Sequence, residues 1–254
     1  MCGINIDHEP PKNRVPAIDT EVHLFFRAFP RESGFEFDYR RGYTWQERTG
    51  DQLVAEMNHA AVEKAFLISY DGYDMPYYMD AVSADRGSFW GGANYCRRWS
   101  EKYPDRLLWF TTLRDPRDRY GLAPLERHLD QGAYGIKVFP GFLETNIDDP
   151  VLMEAYAMVQ DKGRRVIFGF EDTDRPSAPS TLAVWEAFAK VAEAFPDLPM
   201  QTNHMGYLDP REPEADLMYK VVRAHPNIYV SCSCLISMWE DEHEYPFPNY
   251  RERI

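Results

Sequence analysis

Seven short apolar runs punctuate the chain, at residues 15–26, 64–70, 107–113, 134–139, 165–170, 199–204 and 227–235. Each has the length and composition of a strand. Between most of them the apolar positions recur at helical spacing instead. Asp149 and Pro150 open one such segment as a capping residue and a first-turn proline. Leu152, Ala155, Tyr156 and Val159 give it an apolar stripe, and Gly163 closes it. A second helix is predicted from Ser180, with Leu182, Trp185, Phe188, Val191 and Phe195 inward, ending before Pro196. A third covers roughly residues 214–224 and ends before Pro226. His59 and His128 fall in further helical patterns.

Strands alternating with helices of this length predict βαβ units and parallel pairing. Seven strands without a Gly-x-Gly-x-x-Gly turn favour a TIM-like (β/α)8 barrel over a dinucleotide-binding sheet. The whole chain, 1–254, is read as one barrel domain. Two connections, 27–50 and 71–94, are too long for ordinary βα turns. The first interleaves Arg27, Arg31, Arg40, Arg41 and Arg48 with Phe29, Phe35, Phe37, Tyr39, Tyr43 and Trp45. The second, entered through Tyr70, carries Tyr73, Tyr77, Tyr78, Phe89 and Trp90. Such loops either form small cores of their own, suited to an interface between copies, or stack a planar substrate and hold its carboxylate with arginine. Arg27, Arg41 and Tyr70 are the candidate substrate-binding residues, and a homo-oligomer is left open.

Composition narrows the partners. With 44% hydrophobic residues the 254-residue chain can build a sizeable core. Its net charge of −13 argues against nucleic acid or an anionic membrane surface. Cys2, Cys96, Cys232 and Cys234 are too few and too poorly spaced for a disulfide framework, and no Cys-x-x-Cys pair exists. Cys232 and Cys234 are expected to be small core residues of the last strand. No basic-then-apolar leader opens the sequence and no apolar stretch reaches membrane-spanning length. A cytoplasmic protein acting on a small molecule is expected.

The chemistry concentrates in Asp19-Thr20-Glu21-Val22-His23. In an unbroken strand, residues two apart share a face, so Asp19, Glu21 and His23 are predicted to point the same way. A carboxylate and an imidazole would then stand together at the strand's carboxyl end, where barrel enzymes place their sites. Asp19 is expected to orient its neighbours rather than bind metal.

Asp19-Thr20-Glu21-Val22-His23 resembles the first-strand Asp-x-His-x-His of the amidohydrolase-related barrel family, with glutamate in place of the first histidine. Gly135-Ile136-Lys137-Val138-Phe139-Pro140 is similar to the family's fourth strand, Thr202-Asn203-His204-Met205-Gly206 to its sixth, and Asn227-Ile228-Tyr229-Val230-Ser231 to its seventh. The resemblance implies a metal-dependent hydrolase-type barrel with one divalent ion, zinc or manganese, on Glu21 and His23. It implies a substrate-polarising or proton-moving role for His204. Lys137 would contact a substrate carboxylate, donate a proton or, least of all, carry a carbamate; a lysine capped by a neighbouring acid is the plain alternative. The glutamate in the first strand is typical of the family's nonoxidative decarboxylases.

Two departures accompany the resemblance. The fifth strand reads Val166-Ile167-Phe168-Gly169-Phe170-Glu171, with glycine or phenylalanine where a histidine ligand is expected. Glu171 is the candidate replacement ligand, or else a helix cap or ion-pair partner. No eighth strand with its aspartate follows residue 235. Since an open barrel exposes two sheet edges, a missing piece of chain, a partner that closes the barrel, or loss of the segment is expected. Three functions follow: decarboxylation of a hydroxylated aromatic or unsaturated carboxylic acid, hydrolysis of a lactone, amide or ester by metal-bound water, or a non-catalytic degenerate barrel.

Overall fold

Each of the seven apolar runs meets a strand; six strands are shorter than their runs and lie inside them, and the second, Val62–Ile68, starts two residues ahead of its run. The computed structural model describes residues 17–24, 49–69, 92–141, 143–169, 181–207 and 213–231. It divides into two compact units, Met1–Thr112 and Leu113–Ile254.

In the N-terminal unit β1 (Ala17–Val22), β2 (Val62–Ile68) and β3 (Leu107–Thr112) pair in parallel. Helix α1 (Gly50–Ala60) begins at a capping box. The Gln52 N–H donates to Thr49 Oγ1 at 3.3 Å, and the Thr49 N–H donates to Gln52 Oε1 at 2.9 Å. Helix α2 (Ala93–Lys102) is tied to α1 by Lys102 and Asp51, 2.6 Å apart. The Arg106 guanidinium fastens the start of β2 by donating to the carbonyls of Glu63 and Val62 and to Asn58 Oδ1. Ala65, Leu67, Ile68, Leu107 and Phe110 are fully buried, which is where this unit's core sits.

The C-terminal unit carries β4 (Gly135–Val138), β5 (Arg165–Phe168), β6 (Met200–Thr202) and β7 (Ile228–Val230), again parallel. Its helices are α3 (Ala123–Asp130), α4 (Pro150–Asp161), α5 (Thr181–Ala194) and α6 (Glu214–Ala224). As predicted, Asp149 caps α4, accepting the Val151 N–H at 2.9 Å, and Gly163 follows the helix at φ +62°.

Register sorts the residues of this sheet into two faces. Phe168 meets Tyr156 of α4 and Phe188 of α5 edge-on, at 5.8 and 5.1 Å between ring centroids. Its face, shared with Val166, Met200 and Thr202, is therefore the helix-covered one. The opposite face carries the row Lys137, Ile167, Gln201, Tyr229. Bonds from Gly169 N to Val138 O, Asn203 N to Phe168 O and Ser231 N to Thr202 O continue the ladder past the strand ends. They set Phe139, Gly169, Asn203 and Ser231 as the next row on that same face.

Candidate functional site

The first strand does not keep the alternation its sequence predicts. Asp19 stands opposite Ala65 and Val22 opposite Leu67, so β1 spends three residues where β2 spends two. This is a β-bulge. Asp19 Oδ1 accepts the N–H of Glu21 at 3.2 Å. The same-face argument needs unbroken alternation from Asp19 to His23, and across the bulge that condition fails. Asp19 thus accepts from the backbone of Glu21, two residues on. Its carboxyl remains in contact with solvent but is crowded by protein, and this partial desolvation pushes its pKa up. The Glu21 N–H works against that rise and the Glu21 charge adds to it.

Beyond the bulge, His23 Nδ1 lies 3.3 Å from the carbonyl oxygen of Ile68. A carbonyl only accepts, so Nδ1 is the nitrogen that carries a proton in this contact. That is the orientation a metal-binding histidine takes when its second nitrogen is held by the backbone. An imidazole nitrogen and a carboxylate are donor types that suit a divalent ion such as zinc or manganese. Among the described residues no group of three or more His, Cys, Asp or Glu side chains gathers to hold an ion, so this is a partial set. Glu171, the third candidate ligand, lies outside the described residues, as do Arg27, Arg41, Tyr70, Cys232 and Cys234.

Two further polar residues of this unit, Ser69 and Thr112, are buried at the ends of β2 and β3. They satisfy each other. The Thr112 N–H donates to Ser69 Oγ at 3.2 Å, and Thr112 Oγ1 donates to the Ser69 carbonyl.

In the C-terminal unit Lys137 is fully buried on β4 with its ammonium 5.0 Å from the centre of the Phe139 ring. The side chain leans across onto β5. A Cβ added at Gly169 would stand 2.7 Å from the Phe139 ring and 2.9 Å from Lys137 Cε. At Gly169, the glycine of the two residue types found where a fifth-strand histidine was expected, Phe139 and Lys137 use the space a side chain would need. His204 is 6% exposed and adopts φ +53°, a left-handed conformation that β-carbon sterics disfavour. It opens a 3-10 turn, His204–Tyr207, closed by Gly206 N donating to Asn203 O at 2.8 Å.

Sequence reasoning passed over Asn203, which directly precedes His204. It is fully buried, its Oδ1 accepts from Gln201 Nε2 at 3.0 Å, and its Nδ2 has no hydrogen-bond partner. The only sequence signal was its place inside the sixth-strand motif.

Residues 18–254 match the family model described as Amidohydrolase. The chain belongs to the amidohydrolase family. It is accordingly an enzyme, in a family that is metal-dependent. Solved structures give the fold. An uncharacterized TIM-barrel protein from Bordetella bronchiseptica is 19% identical, with 87% of this chain and 76% of that one covered and a TM-score of 0.55. A probable 2-pyrone-4,6-dicarboxylic acid hydrolase from Acinetobacter baumannii, solved with citric acid bound, is 15% identical over 86% and 70%, at 0.55. A 2,6-dihydroxybenzoate decarboxylase from Rhizobium is 16% identical over 86% and 88%, at 0.52. No curated protein matches the sequence. The amidohydrolase-family chain thus has a TIM-barrel fold with seven strands among the described residues, and no described helix is long and apolar enough to cross a membrane.

Proposed function

We propose that this chain is a metal-dependent decarboxylase acting on a hydroxylated aromatic or unsaturated carboxylic acid. The observation that carries the reading is the end of β1, where a carboxylate, Glu21, precedes an imidazole whose Nδ1 is committed to the Ile68 carbonyl. Glu21 and His23 would hold one zinc or manganese ion, with Glu171 as third ligand. When bound, the ion supplies Lewis acidity toward the carboxylate and an adjacent hydroxyl.

The chain's own residues do the rest. Lys137, already desolvated in the C-terminal unit, offers an ammonium for a carboxylate at low dielectric, where such a pair is strong. His204 in its protonated form gives a proton to the ring carbon that bears the carboxylate. A C–H bond forms, the carbon–carboxylate bond then breaks, and its electron pair restores the ring as carbon dioxide leaves. Arg27, Arg41 and Tyr70 are assigned to binding the acid and stacking its ring. The 2,6-dihydroxybenzoate decarboxylase fold relative gives this reading its model substrate.

Hydrolysis of a lactone, amide or ester is the second reading, favoured by the equally similar 2-pyrone-4,6-dicarboxylic acid hydrolase. There Lys137 and His204 would hold the carbonyl side. The test is to load the protein with zinc or manganese and offer 2,6-dihydroxybenzoate, 2-hydroxybenzoate, 2-pyrone-4,6-dicarboxylate and simple lactones. Carbon dioxide release from the hydroxybenzoates is expected. Ring opening of the lactones with no carbon dioxide would replace the first reading by the second.

A further inference from the structure

We infer that Arg119, seated on Tyr120, is an anion-docking residue that collects an organic carboxylate at the carboxyl end of the sheet in the C-terminal unit. That the carboxylate is the substrate rests on the function proposed above; the docking site itself rests on the loop that follows Leu113.

Three arginines and two aspartates stand in Arg114-Asp115-Pro116-Arg117-Asp118-Arg119, which leaves one positive charge over. Both carboxylates are engaged inside the loop. Asp115 holds Arg117 in a fork, with Nε and Nη2 at 2.8 and 2.9 Å, and accepts the Arg117 N–H at 2.9 Å. Asp118 holds Arg114 Nη2 at 2.8 Å and accepts the N–H groups of Tyr120 and Gly121 at 2.7 and 3.1 Å. Among the described residues, Arg119 is the cation of this loop that no carboxylate pairs. Its Nη2 donates to the Tyr120 hydroxyl, and its guanidinium carbon lies 4.6 Å from the centre of the Tyr120 ring. The Arg114 guanidinium carbon lies 5.2 Å from the same centre. Two guanidinium groups thus share one ring, and that ring is 47% exposed.

The loop is rooted beside the proposed site. Leu113 N donates to the Lys137 carbonyl at 2.8 Å, and Arg117 Nη2 donates to the Leu143 carbonyl in the segment after β4. Bonds from Asp118 N to Asp115 O, Gly121 N to Asp118 O and Ala123 N to Tyr120 O, at 3.1, 3.1 and 3.2 Å, hold the turn. The ring therefore places the guanidinium before anything binds, and less side-chain freedom is lost on binding. A carboxylate matches the remaining donors of Arg119, which it can meet two at a time. At a net charge of −13 the chain as a whole repels an anionic acid. An exposed arginine without a counter-charge offsets that repulsion at the end of the sheet where barrel enzymes take in their substrates.

The molecule holds its own control. Arg165 stacks on Tyr134 in the same manner, 4.4 Å from the ring centre and with Nη2 2.9 Å from the hydroxyl. It stands at the amino end of β5 and has further partners.

The test uses the zinc-loaded, full-length protein labelled with nitrogen-15 arginine, and benzoate as an unreactive probe at about pH 6, where a carboxylate is ionised. The Arg119 Nε–H signal, assigned by its loss in Arg119→Gln, is followed during titration. A saturable shift with benzoate is expected, with none for benzyl alcohol and none at Arg165. For a hydroxybenzoate, Arg119→Gln should lower kcat/KM about two- to fivefold at low salt, the size of an exposed charge pair. That gap should close at high ionic strength, and Arg119→Lys should recover part of it. An Arg119 signal that ignores benzoate, or that moves equally with sodium chloride at matched ionic strength, overturns the docking site, and this is read on the parent protein. A shift without turnover of any hydroxybenzoate upholds the docking site and sinks the decarboxylase reading. Turnover with an unmoved Arg119 signal does the reverse.

Discussion

His23 Nδ1 and the carbonyl oxygen of Ile68, the last residue of β2, lie 3.3 Å apart. This contact places a proton on Nδ1, because a carbonyl oxygen can only accept. The metal-free protein should therefore show a pyrrole-like Nδ1 and a pyridine-like Nε2 for His23 in nitrogen-15 spectra above its pKa. Zinc should shift Nε2 and leave Nδ1 protonated. Glu21→Gln and His23→Ala should each bring the metal content of the purified protein down to background. Unchanged metal in both variants would show that the ligands are elsewhere in the chain.

Gly169 is the tightest point between β4 and β5. Alanine there would put a methyl group 2.7 Å from the Phe139 ring and 2.9 Å from Lys137 Cε, and both neighbours are buried. Overpacking of this kind costs about 1–3 kcal/mol, and each kcal/mol lowers Tm by about 2–4 °C in a chain of this length. Gly169→Ala should melt lower by that amount. Phe139→Leu, introduced with it, should recover part of the loss, measured as a coupling in a double-mutant cycle. Equal melting of Gly169→Ala and the parent would mean that the ring and the lysine tail move aside freely.

Much of this fold was legible along the chain, and the reasons are local. Helix α6 runs Glu214–Ala224, as its spacing and the following Pro226 predict, and α4 starts at the Asp149 cap and stops before Gly163. Six of the seven strands fall inside their apolar runs, because the buried face of a strand imposes composition; β2 starts earlier, at Val62, through the polar Glu63. The bulge in β1 was not legible: an extra residue in one strand changes register without changing composition, and only the partner β2 reveals it. In the fifth strand a glycine or phenylalanine read as a missing histidine, and the use of the space at Gly169 by Phe139 and Lys137 was hidden because it depends on a neighbouring strand. Asn203 lay in plain view beside His204, but an orphaned amide is defined by burial and absent partners, which no spacing encodes.

Acid should loosen the start of α4 at a specific carboxylate. The Thr145 hydroxyl donates to Asp149 at 2.6 Å and the Val151 N–H at 2.9 Å, and these bonds hold the Asp149 pKa below its ordinary value. A depressed folded-state pKa means stability that is present above the unfolded value of about 3.9 and lost as pH falls through the lower, folded one. Asp149→Asn keeps a capping oxygen but cannot titrate. Its stability deficit relative to the parent should therefore shrink as pH drops below about 4, measured by urea unfolding at several pH values. Asp149→Ala should cost about 1 kcal/mol at neutral pH. A deficit for Asp149→Asn that stays constant from pH 7 to about pH 3 would remove Asp149 from the acid response.

The turn that carries His204 should be more sensitive than its backbone angles alone suggest. Gly163 and Gly206 have nearly the same left-handed φ, +62° and +64°. A Cβ at Gly163 would meet nothing within 4 Å, whereas one at Gly206 would stand 2.6 Å from Trp185 Cζ2, in a fully buried indole. Gly163→Ala should therefore lose only the left-handed penalty, about 1–2 kcal/mol. Gly206→Ala should lose that plus the cost of displacing Trp185, about 1–3 kcal/mol more. The displaced turn holds Asn203 O and the strained His204, so Gly206→Ala should also depress turnover, and Gly163→Ala should not. Thermal melts and activity measured side by side separate the two contributions, because the shared backbone strain cancels in the difference. Equal losses of stability from both substitutions would show that Trp185 yields without cost and does not brace the turn.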